Sequence, residues 1–132
     1  MKLFSLGRDE RIKSRAIFDE LFENGVSLYG QSIKIIYSVS GFNEKFPVQA
    51  AFIVPRKNIR HAVMRNLIRR RMKEAYRKNK NILYEKATSA GKGIRVALIY
   101  TGTAPIKYSD TEEKIIVILR RLIQEQVFSE WR

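Results

Sequence analysis

From Ala62 to Asn79 the chain contains neither proline nor glycine and is rich in good helix formers. Wound at about 100° per residue, Met64, Ile68, Met72, Ala75 and Tyr76 fall within an arc of about 120°, the stripe such a helix must bury. Asn66, Arg69, Arg70, Lys73 and Arg77 fill an adjacent arc of about 100°, with Arg65 at the border of the apolar stripe. The segment is thus an amphipathic helix with a continuous basic flank, and its apolar stripe needs a second layer to pack against.

The flanking runs supply that layer. Around Ser32 to Ser40, Ile33, Ile35, Tyr37 and Val39 alternate with Lys34, Ile36 and Ser38, the period of a half-buried strand. Val48 to Val54 is almost continuously apolar, which predicts a central strand stopped by Pro55. Arg95 to Tyr100 predicts a third strand, after a loop at Ala87 to Gly93. An earlier helix is expected from about Arg15 to Asn24, with Ser14 as N-cap and Gly25 just past its end. In it Ile17 and Leu21 share one direction, and Phe18 and Phe22 share another roughly 100° away, so either a phenylalanine-lined groove or core packing alone can account for the second face. Ser109 followed by Glu112 has the spacing of a capping box and predicts a last helix running to about Phe128. The order α-β-β-α-β-α, with room for one more short strand, indicates an α+β fold in two layers, a single domain over residues 1–132.

Charge narrows the function. Between Val54 and Lys80 lie eleven basic residues, Arg56, Lys57, Arg60, Arg65, Arg69, Arg70, Arg71, Lys73, Arg77, Lys78 and Lys80, against one acid, Glu74. The whole chain carries +13, so most of the excess sits in this one segment. A solvated helix face usually mixes both signs, whereas one this one-sided fits a polyanion, nucleic acid before an anionic membrane. Bases at i, i+4 spacing set cationic groups in a row that can follow phosphates, and Asn66 can donate to a phosphate or a ribose hydroxyl.

The residues for chemistry are missing. With no cysteine and one histidine, thiol catalysis, Cys-based zinc sites and His-pair metal sites are excluded. There is no glycine-rich phosphate loop, no Gly-x-Ser-x-Gly elbow and no tight acidic cluster. Asp9-Glu10 and Glu112-Glu113 are read as helix-start carboxylates, and His61 as a turn or RNA-contact residue. No apolar run is long enough for a membrane span and no secretory signal is evident, so a cytoplasmic location is expected.

The run Ala62-Val63-Met64-Arg65-Asn66-Leu67-Ile68-Arg69-Arg70-Arg71-Met72-Lys73-Glu74-Ala75-Tyr76-Arg77 closely resembles the Arg-Asn helix of the bacterial ribonuclease P protein subunit. Arg11-Ile12-Lys13 and Phe18-x-x-x-Phe22-x-x-Gly25-x-Ser27 resemble the N-terminal pattern of the same family, and the likeness extends roughly from Arg11 to Tyr100. It implies an α-β sandwich like a domain of ribosomal protein S5, with a left-handed β-α-β crossover. It also implies an endoribonuclease whose RNA subunit is the catalyst and removes the 5′ leader of precursor tRNA, with Mg2+ held mainly by RNA and substrate. The expected partners are the catalytic RNA and precursor tRNA, with no membrane and no obligate protein partner. Carried over by position, Arg65, Asn66, Arg69, Arg70 and Lys73 would contact the catalytic RNA, and Arg56, Lys57, Arg60 and Arg77 of the same basic run are expected to bind RNA with them. The leader cleft would take Phe18, Phe22, Lys34 and Ile36, and no residue of the chain would be catalytic.

The sequence departs from the family pattern at four places. Leu67 stands where many members carry a second arginine, Ile36 where an aromatic is common, and Pro55 after the strand is not the commonest residue. Ile59-Arg60-His61 lacks the usual glycine. The alternative is a non-catalytic RNA-binding protein of ribosomal type, which has no need of the Phe18/Phe22 groove. A helix-turn-helix DNA binder fits poorly, because a strand and Pro55 precede the basic helix where a partner helix would be needed. A membrane-surface helix would carry bulky aromatics opposite its charge, and that face here is Met, Ile and Ala with one Tyr.

Overall fold

Alternation in the second strand divides the molecule into two sides. In the computed structural model, which describes residues 6–125, strand β2 spans Ile33–Ser40. Ile33, Ile35 and Tyr37 join one buried cluster, while Ile36 joins the other on the opposite face. β2 pairs antiparallel with β4 (Gly93–Tyr100) and with the short β1 (Val26–Tyr29), and β3 (Val48–Ile53) pairs parallel with β4. The sheet order is β1-β2-β4-β3. Register places Ile35, Leu98 and Phe52 abreast on one face, and Ile36, Ala97 and Ala51 abreast on the other.

The larger cluster seats three helices. Helix α2, Ala62–Asn79, buries Ile68, Met72, Ala75 and Tyr76, the stripe its periodicity predicts, with Met64 partly buried beside it. Tyr76 meets Phe52 edge to face, with ring centroids 5.4 Å apart. Helix α3, Asn81–Ala90, contributes Leu83 and Ala87, and α4, Tyr108–Leu122, contributes Ile115, Ile118, Leu119 and Leu122. On the other face lies α1, Arg15–Asn24, seated through Leu21 over Ile36, Ala51, Ala97 and Ile99. The small side chains of Ala51 and Ala97 let the helix approach the sheet. Gly25 allows it to leave, since a Cβ there would meet the Leu21 carbonyl and the Ile36 side chain.

Several expectations change. β3 is an edge strand, not a central one. Its nearly continuous apolar run, broken only by Gln49, reflects two covered faces, and its outer edge is partly closed by the N-terminal segment, where the Ile12 amide donates to the Ala50 carbonyl at 2.9 Å. The region expected to be a loop from Ala87 to Gly93 contains the end of α3, which stops at Gly91 in the left-handed conformation, φ 67°. The capping box does not form: α4 begins at Tyr108 after Lys107, placing Ser109 inside the first turn. Thr111 bonds back to the Lys107 carbonyl instead, at 3.0 Å. The helix ends at Leu122, and Phe128 lies outside the described residues.

Glu10 does lie at a helix start, in the 3-10 turn Arg8–Glu10, but its carboxylate also pairs across the fold. Its carboxylate is buried, accepting from Lys80 Nζ at 2.6 Å, from the Tyr84 hydroxyl and from the Gly7 amide at 2.6 Å. Burial pushes its pKa up, but the hydrogen bonds from Lys80, Tyr84 and Gly7 and the Lys80 charge outweigh this and hold it below the usual carboxylate value. The pair fastens the N-terminal segment to the junction between α2 and α3.

Candidate nucleic-acid interface

The basic flank of α2 forms because the helix turns its apolar stripe inward, leaving the adjacent arc outside. Val63, Asn66, Arg69, Arg70 and Lys73 line an open basin of about 470 Å3 on that face, with no acidic residue among them. Arg69 Nη1 donates to Asn66 Oδ1 at 2.8 Å, which directs the Asn66 amide hydrogens away from the arginine. Val63 is the most exposed apolar residue here, 77% accessible, and gives the basin an apolar spot where a sugar or base can rest.

A narrower cleft opens where β3 meets α1. Its volume is about 170 Å3, and its walls include Arg11, Phe18, Ala51, Arg69 and Lys73. Phe18 and Phe22 stack with centroids 6.4 Å apart and planes 12° from parallel. Phe18 borders the cleft, whereas Phe22 stands beside it and is half exposed. Arg69 and Lys73 line both the basin and the cleft, so the two surfaces are continuous.

The remaining expected site residues divide into groups. Arg56, Lys57 and Arg60 are exposed on the loop leading into α2. Arg65 is partly buried, and its Nη1 donates to the carbonyls of Ile59 at 3.0 Å and Arg60 at 2.7 Å. Arg77 forms a two-pronged pair with Glu74, Nη2 to Oε2 at 2.6 Å and Nε to Oε1 at 3.1 Å. That pairing pulls the Glu74 pKa down and raises that of Arg77.

Two of the cleft expectations change. Ile36 is 7% exposed and packed beneath α1, so it belongs to the core and not to the cleft. Its neighbours across the sheet leave no open surface at that point. Lys34 lies away from the cleft walls, with its Nζ 5.6 Å from the centroid of the exposed Tyr29 ring.

Other members of the basic run are engaged away from this face. Arg71 bonds the Ile106 carbonyl, and Lys80 is the buried partner of Glu10. Arg11 and Val63, with the apolar cleft walls Ile12, Ala50, Ala51 and Phe52, are not among the residues expected from sequence. Val63 is signalled by its position off the apolar arc, but Arg11 reaches the cleft only through its bridge to Ala50. His61 precedes α2 at the N-cap position, exposed and without a side-chain cap bond. Among the described residues no three His, Asp or Glu side chains gather into a group that could hold a metal ion. Among them, too, no helix is long and apolar enough to cross a membrane.

Comparison with known proteins gives a consistent answer. The family model described as Ribonuclease P matches residues 6–123. The chain is 34% identical over 106 residues to the ribonuclease P protein component of Chlorobium phaeobacteroides, covering 74% of this chain and 73% of that one. To the protein of the same name from Chlorobaculum tepidum it is 38% identical over 107 residues, covering 76% and 70%. The fold is similar to the RNase P protein from Thermotoga maritima, with a TM-score of 0.67 at 23% identity, over 85% of this chain and 96% of that one.

Proposed function

The chain belongs to the ribonuclease P protein family, and from that membership we propose how its basic surfaces serve the enzyme. It is the protein subunit of ribonuclease P, acts in tRNA processing, and has the ribonuclease P RNA as partner. In our reading the basin on α2, with Asn66, Arg69, Arg70 and Lys73, meets phosphates of that RNA. Arg56, Lys57 and Arg60 extend the binding surface along the preceding loop. The cleft beside Phe18 takes the single-stranded 5′ leader of precursor tRNA, with Phe18 and Phe22 offering stacking surface and Arg69 and Lys73 offering charge.

The observation that carries this reading is the sharing of Arg69 and Lys73 between basin and cleft. A helix dedicated only to structural RNA has no reason to wall an aromatic cleft with the same cations. In this reading endonucleolytic cleavage belongs to the RNA, and any Mg2+ would be held mainly by RNA and substrate. This chain's part is to bind and align, and the ribonucleoprotein works in the cytoplasm.

The test is leader cleavage of a precursor tRNA by a bacterial ribonuclease P RNA at low magnesium, with and without this protein, and with protein alone. Stimulation that requires both components supports the reading. RNA binding without stimulation would favour the general RNA-binding alternative, and cleavage by protein alone would overturn the assignment of chemistry to the RNA.

A further inference from the structure

The segment between β3 and α2 is fixed at three points. Pro55 accepts the Asn58 and Ile59 amides at 3.1 and 3.2 Å, closing a turn. The Asn58 side-chain amide donates to the Tyr100 carbonyl at 3.2 Å, and the Ile59 side chain is buried in the main core. The third point is Arg65, one turn into α2, whose guanidinium takes the consecutive carbonyls of Ile59 and Arg60. The three cations of the segment, Arg56, Lys57 and Arg60, remain exposed.

We propose that Arg65 is a positioning residue that acts through this loop: its guanidinium holds the Ile59 and Arg60 carbonyls so that Arg56, Lys57 and Arg60 stand in line with the α2 basin. The proposal rests on the RNA-binding reading above and changes the role of one residue within it. Both bonds leave Nη1, whose two hydrogens are held in the guanidinium plane, whereas an ammonium rotates freely at the end of a flexible stem. Loop cations fixed before binding lose less conformational freedom when the RNA arrives, so fixing them raises affinity without a further bond to the RNA.

A double-mutant cycle on binding to a bacterial ribonuclease P RNA tests this. R65A is made in the wild-type chain and in an R56A/K57A/R60A background. The expected result is a loss of about fivefold or more in the wild type and less than about twofold in the loop variant, since coupled residues are not additive. In the free protein R65A should also speed amide exchange at Asn58 and Ile59, a readout that a direct phosphate-binding role would leave unchanged. R65K should behave like R65A, because its ammonium, on a shorter and more flexible stem, keeps the charge but not the fixed in-plane N–H directions of Nη1, and it serves in the cycle if R65A folds poorly. Equal losses in both backgrounds, no loss in either, or full binding by R65K would overturn the proposal. R69A is the reference: if it leaves affinity and salt dependence unchanged, the RNA-binding reading itself fails, whatever the cycle shows.

Discussion

The Glu10 carboxylate and the Lys80 ammonium meet at 2.6 Å across 70 positions of sequence, with side chains only 11% and 5% exposed. The pair ties the segment that closes the β3 edge to the end of the basic helix. Removing Lys80 leaves the buried Glu10 carboxylate without its counter-charge, which costs about 3–5 kcal/mol. Lys80→Met should therefore lower the urea midpoint strongly, and the double variant Glu10→Gln with Lys80→Met should recover part of the loss. Recovery is read from equilibrium denaturation of the wild type and the two variants.

The same pair sets an acid response. Glu10 has a lowered pKa in the folded protein, so its stabilising effect is complete above the ordinary carboxylate value of 4.5 and is lost as pH falls through the lowered one. Glu10→Gln should be less stable than wild type at about pH 7, and its remaining stability should fall less as pH drops from above the ordinary value to below the lowered one. Thermal melts across that window give the comparison.

Arg69→Ala and Lys73→Ala should each weaken RNA binding and reduce the slope of log K against log salt by about 0.7 to 0.9 for each phosphate no longer neutralised. Leu67→Ala should leave the slope unchanged, because leucine carries no charge to release a counterion. Titrations across a series of salt concentrations separate the two behaviours.

Phe18 and Phe22 differ in burial, so their truncations should differ in kind. Phe22→Ala removes exposed stacking surface and should weaken leader binding by about 1–3 kcal/mol with little change in folding stability. Phe18→Ala also removes packing over the second cluster and should lower both. Binding of single-stranded leader and a melt on each variant check this.

Glu74 neutralises Arg77 on the flank of the basin. Glu74→Ala should strengthen RNA binding and steepen its salt dependence. Glu74 also lies 4.0 Å from Lys78, so the gain should shrink without vanishing in an Arg77→Ala background, which a gel-shift or fluorescence titration resolves.

Much of the fold is legible in the sequence because its strongest elements are periodic. The α2 stripe and the Ser14–Gly25 bounds of α1 follow from local pattern and reappear in the structure, while the β2 alternation holds as far as Tyr37 and fails at Val39, which is exposed. Where pattern fails, there is a physical reason. β1 is only four residues long, too short for alternation to register. The Ala-Thr-Ser-Ala end of α3 resembles a loop because its helix is held by Leu83 and Ala87 in the core and not by propensity. Edge and central strands with two covered faces have the same composition, so pattern cannot place β3 in the sheet. At the interface the basic arc is readable, but the engagement of Arg65, Arg71, Arg77 and Lys80 is not, since their partners come from other elements or from side-chain rotamers. Ile36 escapes a correct placement because alternation identifies its face and says nothing of the helix lying over it.

Because Arg69 and Lys73 line both the basin and the cleft, whatever anion occupies one surface spends part of the field that attracts an anion to the other. Occupancy of the two is then linked, and by reciprocity each ligand alters the affinity of the other by the same factor. Two separate polyanions would compete for these cations, while one assembly whose phosphates already frame the space between the surfaces would use each cation once, from both sides. The shared pair thus favours ligands that arrive in a fixed mutual arrangement over the same ligands offered independently.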